Sequence, residues 1–218
     1  MTIDRENIVG VVLAGGQSRR MGGGDKGLLA FGRATMLGHV INRFNPQVGR
    51  VLINANGDPA RFEAFGLPIA ADPIGGYVGP LAGVLAGMRW AEANAPAASH
   101  IATCSSDAPF LPCDLVDRLR EAAAAAADGV IPIACSGGHL HPVIGLWPVR
   151  HAEDLETALA RDGVRKVLRW TDRHGTVPVD FDPVAVAGRT VDPFFNANTP
   201  EELDQARQWL AGDRDADA

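Results

Sequence analysis

A chain of 218 residues with 46% apolar content is large enough to bury one substantial core, and its net charge of -6 supplies no general basic field for nucleic acid. An aromatic content of 6% leaves little material for a base-stacking platform, and no apolar run approaches the length of a membrane-spanning helix. The start MTIDRENIV lacks a signal peptide's apolar stretch, so the expected setting is cytoplasmic, with neither a membrane nor a nucleic-acid partner.

The first predicted element is a strand over 8–13, IVGVVL, a mostly β-branched run without polar alternation that suits a strand buried on both faces of a parallel sheet. It breaks into a loop with Gly15, Gly16, Arg19, Arg20 and Lys26, where glycine amides can converge on an anion beside three positive charges. Of the 20 basic residues only Lys26 and Lys166 are lysine. A compact ammonium in a glycine-rich loop can reach phosphate oxygens as a point charge.

Thr35 is placed to cap a helix carrying Met36, Leu37, Val40, Ile41 and Phe44 and ending near Asn45-Pro46. A strand over 51–53 stops at Asn54, and a short helix through Phe62 and Phe65 leads to a third strand over 68–71. A helix over 81–93 has Pro80 near its first turn, and a fourth strand over 100–103 runs into Asp107. A helix over 114–127 and a strand over 130–134 complete the βαβ alternation.

Beyond it the pattern changes to an extended run over 139–147, helical stretches over 149–161 and 164–170, and a strand or two within 176–186. Thr199-Pro200-Glu201-Glu202 is a capping box that launches a last helix to about Leu210. The expected fold is α/β with a mostly parallel sheet, in one domain over 1–218, with 1–7 and 212–218 disordered.

The first four strands end in Gly15-Gly16, Asn54, Asp72 and Asp107, so these residues should gather on the carboxyl edge of the sheet, where ligands bind at the switch in strand order. Asp107, just past a buried strand and held by a turn with Pro109, can bind Mg2+ bridging nucleotide phosphates or can cap the next helix. Asp72 can ligate metal or substrate, or initiate the turn at Pro73. The Gly22–Gly27 run matches GxGxxG in form but begins too far past the strand to serve a dinucleotide turn, and the absence of a Gly-Lys dipeptide excludes a Walker loop.

His139 and His141 form half of a metal site or lie together on one strand face, the plainer reading. Cys104, Cys113 and Cys135, odd in number and without a CxxC pair, argue against a disulfide framework or structural zinc and are expected as buried thiols. Arg161, Arg165, Lys166 and Arg169 form a basic cluster, a solvated face that an anionic second substrate could use.

Six blocks in order resemble the molybdenum cofactor guanylyltransferases, from Val11 to about Leu210. They are Leu13-Ala14-Gly15-Gly16 with Ser18 to Gly23 and Asp25-Lys26; Asn54-Ala55-Asn56; Asp72 with Gly79 to Gly83; Asp107-Ala108-Pro109-Phe110; His141-Pro142-Val143; and Asn196 to Glu202. The resemblance implies a three-layer α/β/α sandwich of the Rossmann-like nucleotidyltransferase type. It also implies Mg-dependent transfer of GMP from GTP to molybdopterin, with or without molybdenum, releasing pyrophosphate, and contact with molybdoenzymes and cofactor-biosynthesis proteins.

By that likeness Leu13, Ala14, Gly15, Lys26, Asn54, Asp72 and Asp107 form the GTP site, and the chemistry of the transfer assigns Gly15, Gly16, Arg20 and Lys26 to the β and γ phosphates, with Arg20, Lys26 and Asp107 serving catalysis. Asp107 holds Mg2+, and Asn196 and Asn198 lie towards the pterin. One departure is Ser105-Ser106, where the family usually has Pro-Cys before the aspartate. The alternatives are a nucleotidyltransferase using CTP or acting on a sugar or alditol phosphate, and a nucleotide-binding module without catalysis. Gly15 matches the guanylyl family, whereas cytidylyl relatives usually have alanine there.

Overall fold

A computed structural model describes residues 3–15, 25–75 and 79–212. Strand β1 (Ile8–Leu13) has the expected bounds, and all but its last residue are buried. It is followed by β2 (Ala30–Phe31), β3 (Ala34–Thr35), α1 (Met36–Phe44), β4 (Arg50–Asn54), β5 (Ile69–Ala70), α2 (Pro80–Asn94) and β6 (His100–Ser105). The second half contains α3 (Leu115–Ala125), β7 (Ile131–Ser136), β8 (His139–Pro148), α4 (Ala152–Ala160), α5 (Val167–Thr171), β9 (Thr176–Asp180), β10 (Val184–Val186), β11 (Arg189–Val191) and α6 (Pro200–Gly212).

Among the described residues, seven strands form one sheet in the order β5-β4-β1-β6-β8-β7-β9. Strand β8 is antiparallel to both of its neighbours, while β5-β4-β1-β6 and β7-β9 pair in parallel. The order turns back at β1, with β4 on one side and β6 on the other. The β1 and β6 loops therefore flank the crevice where such sheets bind ligands.

Alternation along the strands divides the core between the two faces of the sheet. Ile8 and Val12 of β1, Val51 and Ile53 of β4, and Ala102 and Cys104 of β6 pack with Leu37, Val40 and Phe44 of α1 and Leu115 and Leu119 of α3. Val9 and Val11, Leu52 and Ile101 point the other way, onto Leu81, Val84 and Leu85 of α2, Leu155 of α4 and Trp170 of α5. The result is the expected three layers, with a mostly parallel sheet in the middle.

A third cluster lies off the sheet, where Phe31, Met36, Phe110, Val186, Val191 and Leu203 meet with Phe195 and Trp209 packed against them. It joins the β2-β3 and β10-β11 hairpins to α6 and supports the segment between β11 and α6.

The local signals behave as their chemistry requires. Thr35 Oγ1 accepts from Gly38 N at 3.1 Å, so the hydroxyl satisfies an orphan donor at the start of α1. At α6, Glu202 N donates to Thr199 Oγ1 at 3.2 Å and Thr199 N donates to Glu202 Oε2 at 2.9 Å, a reciprocal capping box. Two expectations need correction, and one hairpin was not foreseen. Residues 3–7, expected to be disordered, carry a 3-10 turn at Arg5–Asn7, and Ile3 is buried. Cys104 and Cys135 are buried as expected, but Cys113 is exposed, because it precedes α3 on a surface turn. The β2-β3 hairpin has no counterpart in the sequence reading, since two-residue strands are too short to show a period. Residues 213–218 lie outside the described residues.

Candidate active site

The carboxyl edge of the sheet carries two linked polar groups, and the first is built on β4 and β5. Strand β4 ends in buried Asn54, whose Nδ2 donates to Ala70 O at 3.1 Å and to Asp72 Oδ1 at 2.9 Å. Asn56 completes the lock. Its Nδ2 donates to Asp72 Oδ2 at 2.7 Å, and its Oδ1 accepts from Asp72 N at 2.9 Å. Both carboxylate oxygens of Asp72 thus face asparagine donors, so its side chain is locked to the ends of β4 and its loop in addition to standing at the turn before Pro73.

Two glycines bring backbone close to this floor. A Cβ on Gly83 would lie 2.3 Å from Asn54 Oδ1, so only glycine lets the first turns of α2 press onto the asparagine. Gly15 sits opposite, where an added methyl would lie 3.8 Å from both Asn54 Oδ1 and Asn56 Nδ2, an ordinary contact. Packing does not demand glycine at position 15, and the space in front of the asparagines stays open to a ligand.

The second group is charged. Lys26 opens a 3-10 turn, Lys26–Leu28, and its Nζ donates to Asp107 Oδ2 at 3.1 Å, Asn198 Oδ1 at 2.8 Å and Ala197 O at 3.3 Å. Three oxygens thus meet the three donors of one ammonium. The Lys26 and Asp107 side chains are 18% and 15% exposed, so the pair is partly withdrawn from water and its attraction is less screened than on an open surface. The Ser105 hydroxyl donates to the other oxygen of Asp107, and Asp107 O accepts from Ala197 N at 3.2 Å. Where the resembling family has Pro-Cys, this chain uses Ser105 to orient the carboxylate.

Leu13, Ala14, Gly15, Lys26, Gly27, Pro80, Ser105, Ser106, Asp107 and Val143 line a cleft of about 160 Å³ between these groups. The structure therefore brings together Leu13, Ala14, Gly15, Lys26 and Asp107 in the cleft, with Asn54 next to Gly15 and Asp72 bonded to Asn54. Gly16 and Arg20 lie outside the described residues. Asn198 stands directly on Lys26. Asn196 has its Oδ1 buried and without a hydrogen-bond partner among the described residues.

Arg61 is a site residue that sequence reasoning missed. Its guanidinium pairs with Asp25, beside Lys26, donates to Asn56 O at 2.6 Å and to Asp58 O at 2.9 Å, and so ties the two groups together. An arginine in a 3-10 turn carries no motif that would have revealed it.

None of the three cysteines lines the cleft. Burial, reinforced by the nearby Asp107 carboxylate, pushes the Cys104 thiol well above its ordinary range. No group of three or more His, Cys, Asp or Glu side chains suited to a metal exists among the described residues, and His141 instead meets Ser136. The segment of the basic cluster approaches the start of α2 through the Arg165 backbone, while the Arg165 guanidinium donates to Leu159 O and Val164 O. Arg165 O is 3.5 Å from the Cβ position of Gly79, the residue before α2, and Arg161, Lys166 and Arg169 are exposed on the same segment.

This geometry has known relatives. Residues 10–177 match the model of the MobA-like NTP transferase domain. The chain belongs to that family. A molybdenum cofactor guanylyltransferase from Bradyrhizobium sp. (strain ORS 278) is 50% identical over 210 residues, covering 96% of each chain. Among solved structures, molybdopterin-guanine dinucleotide biosynthesis protein A from Archaeoglobus fulgidus superposes with a TM-score of 0.68 at 21% identity, covering 94% of this chain and 98% of the other. A Mycobacterium tuberculosis H37Rv protein solved in complex with manganese superposes with a TM-score of 0.64 at 18% identity, covering 92% and 98%. These two structural matches speak for the fold, and the family membership makes this chain a nucleotidyltransferase.

Proposed function

We propose that this member of the MobA-like family transfers GMP from GTP to molybdopterin, with or without bound molybdenum, forming molybdopterin guanine dinucleotide and releasing pyrophosphate. The supporting observation is the meeting of Lys26, Asp107 and Asn198 at the β1/β6 crevice, beside the Asn54–Asp72 floor. The choice of guanine and of the pterin rests on the names of relatives about half identical over nearly the whole chain.

The chemistry needs no protein nucleophile. A terminal phosphate oxygen of molybdopterin, already ionised at neutral pH, attacks the α-phosphorus of GTP. The bond from that phosphorus to the bridging oxygen breaks, and pyrophosphate leaves with the electron pair. Both partners are anions, so the protein must position them and offset developing charge. Lys26 does this for the β and γ phosphates, with the backbone at Gly15 and, in the loop that follows, Gly16 and Arg20. The floor of Asn54, Asn56 and Asp72 holds the nucleoside, and the cluster around Arg165 and Lys166 meets the anionic acceptor.

The oxygen set around the Lys26 ammonium suits a hard divalent cation, because a carboxylate, an amide oxygen and a carbonyl converge there on positive charge. Asp107 is the residue that would hold Mg2+, and the ion when bound would neutralise phosphate charge at the reacting centre. The same reading takes residues 1–218 as one nucleotidyltransferase domain working in the cytoplasm, with molybdoenzymes and other cofactor-biosynthesis proteins as its partners.

Pyrophosphate release is the test, measured with GTP or CTP, each with and without molybdopterin. Release with GTP that requires molybdopterin is expected. Release with CTP alone of the two nucleotides would assign a cytidylyltransferase, and release with neither would overturn the reading.

A further inference from the structure

The Asn198 side chain and Ala197 carbonyl that receive Lys26 lie on the 192–199 segment, which is held at three points. In the middle Ala197 N donates to Asp107 O, and at the end Thr199 and Glu202 close the α6 cap. At the beginning stands Asp192, whose Oδ1 accepts from Phe194 N at 2.8 Å and from the Ser136 hydroxyl at 2.9 Å. Ser136 Oγ is also 2.7 Å from His141 Nε2.

Residue types suggest a serine nucleophile with its base and acid, but the order is wrong for one. Serine stands between the other two and has one proton to give. Asp192 Oδ1 is the acceptor of the Phe194 backbone N–H and of the Ser136 hydroxyl, so the hydroxyl proton points to it. His141 must then donate through Nε2–H to Ser136, and an imidazole that donates to a hydroxyl cannot take its proton. Burial holds His141 below the ordinary imidazole range, against the raising influence of Asp192 and with a small lowering one from His139. Its ring lies 4.6 Å from that of Phe194, on the segment being held.

The tight turn at Gly137 and Gly138, both with positive φ, sets Ser136 opposite His139 and brings β8 back so that His141 faces Ser136. The relay thus joins a rigid hairpin of the sheet to the loop that meets Lys26. We propose that Ser136, His141 and Asp192 are positioning residues that fix where the 192–199 segment delivers Asn198 to Lys26 and Asp107. The consequence for turnover rests on the function proposed above, whereas the hold on the segment does not.

The test uses the full chain carrying Ser136→Ala, Asp192→Asn, His141→Leu or His141→Gln, with His139→Ala as control. Hydrogen exchange without ligand should be roughly tenfold faster at the Phe194, Phe195 and Ala197 amides in the first three variants, as expected for loss of a hydrogen bond to a charged group. Glutamine at 141 offers its amide nitrogen near the place of Nε2 and should restore most of the protection. The His139→Ala variant should match the parent.

In pyrophosphate release, the kcat of Ser136→Ala should fall on the order of tenfold with KM for GTP nearly unchanged, because the nucleoside floor is untouched. Unchanged exchange and kcat in Ser136→Ala and Asp192→Asn would overturn the relay. Failure of the parent protein to release pyrophosphate would overturn the functional reading alone, and exchange would still decide the relay.

Discussion

The two edges of the sheet teach opposite lessons about where a site lies. At the edge opposite the proposed site, a groove of about 780 Å³ is lined by Ile3, Asn7, His100, a row of alanines at the end of α3, Asp128 and Arg150. The cleft lined by Gly15, Lys26 and Asp107 is about 160 Å³. Volume would choose the groove. Charge chooses the cleft, where an ammonium and a carboxylate are held together away from water, while the groove's Arg150 and Asp128 form a mutual ion pair at the surface. A parallel sheet explains the asymmetry, since strand ends at the carboxyl edge feed loops that can carry side chains to one place.

The comparison breaks most directly at Asp107. Asp107→Ala should lower kcat about a thousandfold, the order expected when several kcal/mol of charge stabilisation is lost, while retaining some GTP binding through the Asn54–Asp72 floor. Single-turnover rates and equilibrium GTP titration separate the two effects. Full activity in this variant would sink the proposed mechanism.

Lys26→Ala comes next. The kcat/KM for GTP should fall roughly a hundred- to a thousandfold, the size seen when one donor to a developing anion is removed. Thermal unfolding should move less than GTP use does, although the Asp107 carboxylate, 15% exposed, is left without its partner. Unchanged GTP kinetics would refute the role of the lysine.

A smaller effect should come from the floor. Asn56→Ala removes the donor to Asp72 Oδ2 and the acceptor for Asp72 N, freeing the carboxylate to swing. KM for GTP should rise about tenfold with kcat little changed, the cost of losing a hydrogen bond to a charged group. A fall in kcat at constant KM would mean that the floor and the Lys26 group are not separate in function.

How much of this was legible depends on the range of the interaction. The β1 bounds followed from six residues of apolar sequence, and the Thr35 and Thr199 caps from side chains three positions from their partners. Gathering Asn54, Asp72 and Asp107 at one edge followed from strand direction alone. The partner of Lys26 did not, because Asn198 lies 172 positions away and reaches it through a loop shaped by a third hydrophobic cluster. Resemblance set Asn198 towards the pterin without showing that its side chain meets the ammonium. Arg61 was invisible for the same reason, since its contact with Asp25 crosses two loops without a pattern in either. Cys113 shows the limit of composition, which ranks cysteine as buried without knowing that this one lies on a turn.

The smallest effect on activity, and a separate effect on stability, is expected at the opposite edge. Burial, with help from Arg150 and His151 and against Asp128, lowers His100 from 6.5 to about 4. Below pH 6.5 the unfolded chain takes up a proton that the folded chain refuses, so the stability owed to neutral His100 is present above pH 6.5 and is lost as pH falls towards 4. Between pH 7 and pH 5 this loss is at most about 2 kcal/mol, from 1.36 kcal/mol per pKa unit. His100→Gln should flatten that part of the slope in urea unfolding and leave pyrophosphate release at pH 7 unchanged. His39, His141 and His151 are also lowered by burial and should leave a residual slope. If His100→Gln instead lowered turnover at pH 7, the two edges would be coupled, and the groove would have to be counted with the site.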